Sequence, residues 1–251
     1  MVKGLDLFKE HFNDFTDSFV IIGGTACSIL LEDLDPPFRL TKDIDIILYV
    51  ESMGPEFAQA FWGFIKKGRY QNLQKSTGKK IFYRFYDPGD AAYPDMLELF
   101  SSKPEGFELA TGSEITPLPL GEEASSLSAI LLDPDYYPFL RGGRKIVGGL
   151  PVLGAEHLIP MKAKAYLDLS EKREKGGTAD SKKISKHQRD VFRLFPLLTE
   201  ETRVQLPSPI RGDMKMFLEG LQKEKVDLKI YGIQTMDLPQ VIQNLKNIYG
   251  L

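Results

Sequence analysis

FVIIGGTACSILLEDLDPPFRLTKDIDIIL, residues 19–48, opens with a short apolar run that is partly β-branched, Phe19-Val20-Ile21-Ile22, of the length and composition of a buried strand. The run breaks at Gly23-Gly24, and residues 25–31 then carry helical spacing. Asp35-Pro36-Pro37 stops that helix, and a second strand follows in which Asp43 and Asp45 alternate with Ile44, Ile46 and Leu48. A strand repeats every two residues, so the aspartates share one face with Cα atoms ~7 Å apart, while the isoleucines point into a core. Two like charges on one strand face repel and lose hydration, which destabilises the pair unless a cation lies between them. A hard, oxygen-seeking ion such as Mg²⁺ is the natural occupant. The glycines let phosphate approach the backbone, and the helix N-terminus behind them favours anions. Thr41, Lys42 and Arg39 lead into the pair either as charge balance or as phosphate contacts.

Working outward, residues 79–86 (KKIFYRFY) are strongly β-prone and residues 93–100 (YPDMLELF) form the next expected strand. Met96, Glu98 and Phe100 share one face of it, and Leu97 and Leu99 the other. A carboxylate between two leucines is out of place unless it is used. If this strand neighbours the Asp pair, Glu98 lies ~5 Å across from it. Asp95, directly after Pro94, is the alternative third carboxylate. Its opposite parity makes Glu98 the preferred one.

The flanks have the composition of an ordinary globular protein: 251 residues, a net charge of −3 and a single cysteine. That charge gives no global attraction to nucleic acid or to an anionic membrane, so any polyanion site is local. Cys27 excludes an internal disulfide, fits a reducing cytosol and sits where a packed thiol is expected. No apolar run approaches ~18 residues, so no membrane span is expected, and a cytoplasmic location is.

Leu5, Phe8, Phe12 and Phe15 predict an N-terminal helix, and residues 53–65 a second one over the sheet. Residues 106–128 read as a loop insertion with a short strand around Ile115. Residues 128–140 read as a strand, an Asp133-Pro134 turn and an aromatic segment. Arg141 and Arg144 flank a glycine turn, and residues 145–153 return as a strand.

From residue 155 the pattern turns helical. In residues 156–169 the stripe Leu158, Lys162, Ala165, Tyr166, Leu169 is interrupted by Lys162, which must find an anion or snorkel, whereas Lys164 pairs with Asp168 one turn on. Residues 171–185 read as a loop. In residues 184–198 an apolar stripe of Gln188, Val191, Phe195 and Leu198 is bordered by Lys186 and Asp190. Helices over 211–223 and 238–249 follow, the second with Asp237 as N-cap. No chemistry is evident in this tail.

Gly23-Gly24, helix, Asp43-Ile44-Asp45 and a later-strand Glu98 together resemble the nucleotidyltransferase superfamily built on a polymerase-beta-like palm. Within it the chain is most similar to the branch of AbiEii-type toxins, which carry a lysine on the first helix after the palm and a K-D-x-x-D-[LI] signature on a following helix. Lys162 matches the first, and Lys186-His187-Gln188-Arg189-Asp190-Val191 resembles the second, with His187 in place of the usual Asp. The resemblance implies an α+β fold: a palm over 1–154, with a mixed sheet and flanking helices, and a helical C-terminal domain over 155–251, the nucleotide lying between. It implies transfer of a nucleotidyl group from a nucleoside triphosphate to a hydroxyl on tRNA, protein or a small molecule. Asp43, Asp45 and Glu98 are then the ligands of Mg²⁺ or Mn²⁺, Gly23, Gly24 and Thr25 the nucleotide contacts, Lys162 and Lys186 the phosphate-neutralising cations, and Asp190 the group that orients a lysine or the ribose. A toxin role with an antitoxin partner comes with the branch. The rival expectation is a catalytically idle palm that binds a nucleotide or a protein.

Overall fold

Phe19–Ile22 forms strand β1 and Asp43–Leu48 strand β2, antiparallel, with Phe19 opposite Leu48 and Ile22 opposite Asp45. Helix α2 between them spans Gly23–Leu30, so the diglycine is its first turn rather than a turn ahead of it. The computed structural model describes residues 2–33, 38, 41–49, 52, 55–72, 84–100, 108–110, 113–114, 133–178 and 180–251. Within them Arg84–Tyr86 is β3 and Met96–Phe100 is β4. Glu108–Ala110 (β5) and Ser113–Glu114 (β6) pair as a separate hairpin, and Ile115 lies outside the described residues. Arg144–Val147 (β7) and Leu150–Leu153 (β8) complete a mixed sheet in the order β3-β4-β2-β1-β8-β7. The β-prone residues 79–83, and Met53 at the head of the expected second helix, are also outside the description.

The sheet registers divide the side chains cleanly. Phe85, Leu97, Ile44, Ile46, Ile21 and Phe19 fall on one face, and all are buried. Helix α1 (Leu5–His11), the short helical turn Asn13–Ser18 and helix α3 (Pro55–Gly68) supply that face with aromatics. Phe61 meets Phe85 with ring centroids 5.5 Å apart, Phe12 meets Phe19 at 6.0 Å, and Phe8 meets Phe64 at 5.8 Å. Such edge and tilted pairs add about 0.5–1.5 kcal/mol each beyond the burial of their area. The carboxylates are left on the opposite face.

The chain forms two compact units. The first comprises Met1–Glu32, Arg39–Ala124 and Arg144–Leu153, and the second Asp33–Phe38, Ser125–Gly143 and Gly154–Leu251. The second is helical: α4 (Tyr136–Gly142), α5 (Ala155–Glu174), α6 (Ser181–Leu194), α7 (Ser208–Leu221) and α8 (Leu238–Tyr249). Helix α4 therefore precedes the 154/155 boundary in sequence yet belongs with the helices after it. The reason is aromatic anchoring. The Tyr136 hydroxyl donates to Asp213 Oδ2 (2.9 Å), and Phe139 lies against the His157 ring at 4.6 Å. Burial, reinforced by the Asp213 charge, holds the Tyr136 hydroxyl far above the usual tyrosine range, so it remains a donor.

Helix α5 runs on to Glu174, well past Leu169, because residues 170–174 are good helix formers and Glu171 pairs with Lys175 one turn on. Asp180 then caps α6 by accepting the Lys182 N–H (2.9 Å), which reduces the expected loop to residues 175–180. The buried residues of α6 are Ile184, His187, Asp190, Val191, Phe192 and Leu194; of the expected stripe Val191 and, just past the α-helix, Phe195 are buried, while Gln188 and Leu198 are half-buried. Pro196 ends the α-helix at Leu194, so residues beyond it do not continue the periodicity. Helix α8 begins as expected: Asp237 accepts the Gln240 N–H (2.9 Å) and Gln240 Oε1 accepts the Asp237 N–H (2.8 Å), a reciprocal cap. Among the described residues, no helix is long and apolar enough to cross a membrane.

Candidate active site

Strand β2 runs parallel to β4 with Asp43 opposite Met96 and Asp45 opposite Glu98, and β3 runs antiparallel to β4 with Arg84 opposite Glu98. Arg84, Glu98, Asp45 and Ile22 thus form one row across four strands, on the face away from the aromatic core. Asp45 and Glu98 are 8% and 6% exposed, while Asp43, at the strand's start, is half-buried. The preferred third carboxylate is the one in the row. Asp95 lies just before β4 and is engaged by Lys3, with the exposed Lys42 ammonium 3.8 Å away.

Gly23 adopts φ +68°, a left-handed backbone that L side chains enter at a cost. A Cβ there would fall 2.0 Å from Asp45 Oδ2. The first glycine of the pair therefore lets the chain turn sharply from β1 into α2 and leaves room for the second aspartate. Thr25 is fully buried, and its hydroxyl donates to the Asp43 carbonyl (2.5 Å), tying the first turn of α2 to β2. That bond gives the threonine a structural role at this position. Gly23→Ala is expected to lower unfolding free energy by about 1–3 kcal/mol, since strain and overlap act together. Gly63→Ala, mid-helix in α3 with nothing within 4 Å of the new Cβ, is expected to be neutral or stabilising by up to ~1 kcal/mol. Urea denaturation of the two variants beside the wild type measures both.

In the second unit, Lys162 on α5 finds its anion. Its Nζ lies 2.9 Å from Asp190 Oδ2 on α6, with the two side chains 1% and 2% exposed. The lysine read from the sequence as a phosphate contact is thus held inside an ion pair, because a cation on an apolar stripe needs a partner before it can be buried. Lys186 is exposed, and His187 is buried on the inner side of α6. Lys164 pairs with Asp168 (3.0 Å) as expected, and also lies 3.6 Å from Asp213. Burial first, then the Asp213 charge, push the Asp168 carboxyl up against the pull of Lys164. Arg144 of the first unit donates from Nη2 to the Thr16 carbonyl and to Asp17 (2.8 Å each), which anchors the start of β7.

Arg84 is the functional-face residue that sequence reasoning missed. Its Nε donates to Glu98 Oε1 at 2.5 Å. The signal was present in the period-two alternation of Arg84 with the core residue Phe85, which puts the arginine on the same face as Glu98. Asp43 and Asp45, hard oxygen donors on one strand face beside a glycine turn, fit a divalent cation such as Mg²⁺. Glu98 is held by Arg84, and among the described residues no group of three or more His, Cys, Asp or Glu is arranged to hold a metal ion. As placed, the pair fits the cation and the trio does not.

No family model matches the chain, and no curated protein sequence matches it. A solved structure does: an antigenic nucleotidyltransferase-like protein from Paracoccidioides brasiliensis, 14% identical, aligns over 100% of this chain and 99% of its own, with a TM-score of 0.50. The fold is nucleotidyltransferase-like. The antibiotic-resistance factor ANT(2'')-Ia, 16% identical over 88% of this chain and 97% of its own, is a looser likeness with a TM-score of 0.37. In the nucleotidyltransferase-like fold described here, the diglycine, the Asp-x-Asp strand and Glu98 are all on the sheet unit, and Lys162, Lys186 and Asp190 are all on the helical one.

Proposed function

We propose that the protein is a metal-dependent nucleotidyltransferase of the AbiEii-like type. The observation that carries this reading is the register of β1, β2 and β4, which brings Gly23, Asp45 and Glu98 together on a face kept out of the core. A nucleoside triphosphate is the donor and a hydroxyl the acceptor. The hydroxyl oxygen bonds to the α-phosphorus, the bond to the bridging α–β oxygen breaks, pyrophosphate leaves with that electron pair, and the hydroxyl proton passes to solvent. Asp43 and Asp45 would hold a divalent ion, which when bound offsets phosphate charge. Gly23 and Gly24 admit the phosphates to the backbone at the start of α2. Within the helical unit the Lys162–Asp190 pair fixes α5 against α6, and a phosphate-neutralising role for Lys186 rests on the resemblance of the motifs. The acceptor class (tRNA, protein or a small molecule), an antitoxin partner and a cytoplasmic site of action rest on the resemblance of the motifs.

A second reading, an idle palm that only binds, is favoured by one observation: Glu98 is already neutralised by Arg84. Incubation with each of four α-³²P-labelled nucleoside triphosphates, Mg²⁺ and a panel of tRNA, protein and small hydroxyl acceptors separates the two. The transferase reading expects labelled acceptor and equimolar pyrophosphate, both absent from Asp43→Asn/Asp45→Asn. Nucleotide binding without pyrophosphate for any acceptor supports the idle palm instead.

A further inference from the structure

Asp45 and Glu98 are buried carboxylates in one row on adjacent parallel strands, whose spacing is about 4.8 Å. Like charges so close repel, and positive charge nearby offsets that repulsion. The next residue along the row supplies it. Arg84, on the edge strand β3, faces Glu98 in register and puts Nε on Oε1. The planar fork of a guanidinium matches phosphate as well as carboxylate. Only Nε is engaged among the described residues, and the side chain is 30% exposed, so the terminal N–H groups are left to a ligand.

We infer that Arg84 is a built-in second cation of the site. It neutralises Glu98 where a second divalent ion would otherwise sit, and it offers its remaining N–H groups to the phosphates of the nucleotide. The inference rests on the nucleotidyl-transfer reading and changes its stoichiometry. One divalent ion accompanies each nucleotide, on Asp43 and Asp45, rather than two ions shared among three carboxylates. The competing explanation is an ordinary cross-strand ion pair with no part in binding.

Counting bound Mn²⁺ by electron paramagnetic resonance distinguishes these. Mn²⁺ is titrated into the full-length protein with each of four α,β-methylene nucleoside triphosphates, which bind without reacting. The wild type is expected to take up one Mn²⁺ per nucleotide, and Glu98→Gln still one. Arg84→Gln is expected to bind nucleotide ~10- to 100-fold more weakly, the range seen when a supporting residue of a metal site is lost. Arg84→Lys, which keeps the charge and loses the fork, falls between them. Circular dichroism verifies that each variant is folded. If Arg84→Gln does not fold, the Mn²⁺ counts on wild type and Glu98→Gln still decide. Two Mn²⁺ per nucleotide with one lost in Glu98→Gln overturns the inference, and so does a folded Arg84→Gln that binds nucleotide like the wild type. Failure of the wild type to bind any nucleotide is a separate result that removes the transferase reading and this inference together.

Discussion

Lys162→Met is expected to destabilise the helical unit by about 3–5 kcal/mol, because it takes the ion-pair cation away from a carboxylate that is 2% exposed. Asp190→Leu should cost a similar amount by taking the ion-pair anion away from a buried ammonium. The double variant Lys162→Met/Asp190→Leu should recover most of the loss, since removing both charges also removes their desolvation penalty. Urea unfolding followed by far-UV circular dichroism measures all three. The expected pattern is two severe singles and a mild double. Singles within ~0.5 kcal/mol of wild type would mean that the lysine and aspartate are solvated in solution and available to a ligand, contrary to the packing of α5 on α6.

The second large effect is on catalysis. Asp45→Asn keeps the shape of the side chain beside Gly23 but halves the carboxylate pair that the cation needs. Transfer is expected to fall by at least 10²- to 10³-fold, the scale of losing one preorganised charge-stabilising group. Stability should move the other way or not at all. Asp45 is buried beside Glu98, whose charge is already met by Arg84, so an amide of the same shape removes a buried charge without opening a cavity. Pyrophosphate release together with the thermal midpoint tests both halves. A variant that loses activity and unfolds earlier by several degrees would place Asp45 among structural residues.

Much of the sheet unit was legible because its signals are local. Period-two alternation in DIDIIL placed Asp43 and Asp45 on one face and Ile44 and Ile46 in the core, and parity alone favoured Glu98 over Asp95. Lys162 announced itself as a cation on an apolar stripe in need of an anion. What sequence could not give were the partners of these groups, which are set by register and packing between distant segments. Arg84 reaches Glu98 only because β3 pairs antiparallel with β4, and Lys162 reaches Asp190 only because α5 packs on α6. Helix α4 was not legible for the same reason. Its aromatic segment has no clear periodicity, and its place is fixed by Asp213 and His157, far along the chain. On α6 the expected stripe holds at Val191 and Phe195, but beyond the helix end at Leu194 the periodicity no longer applies and Leu198 is only half-buried.

The most direct test of the central claim is titration calorimetry of the four nucleoside triphosphates, with and without Mg²⁺, on the wild type and on Asp43→Ala/Asp45→Ala. The account predicts that at least one triphosphate binds, that binding needs Mg²⁺, and that it is lost in the folded double variant. Binding that survives without Mg²⁺ and without both aspartates, or no binding to the folded wild type at all, would contradict it.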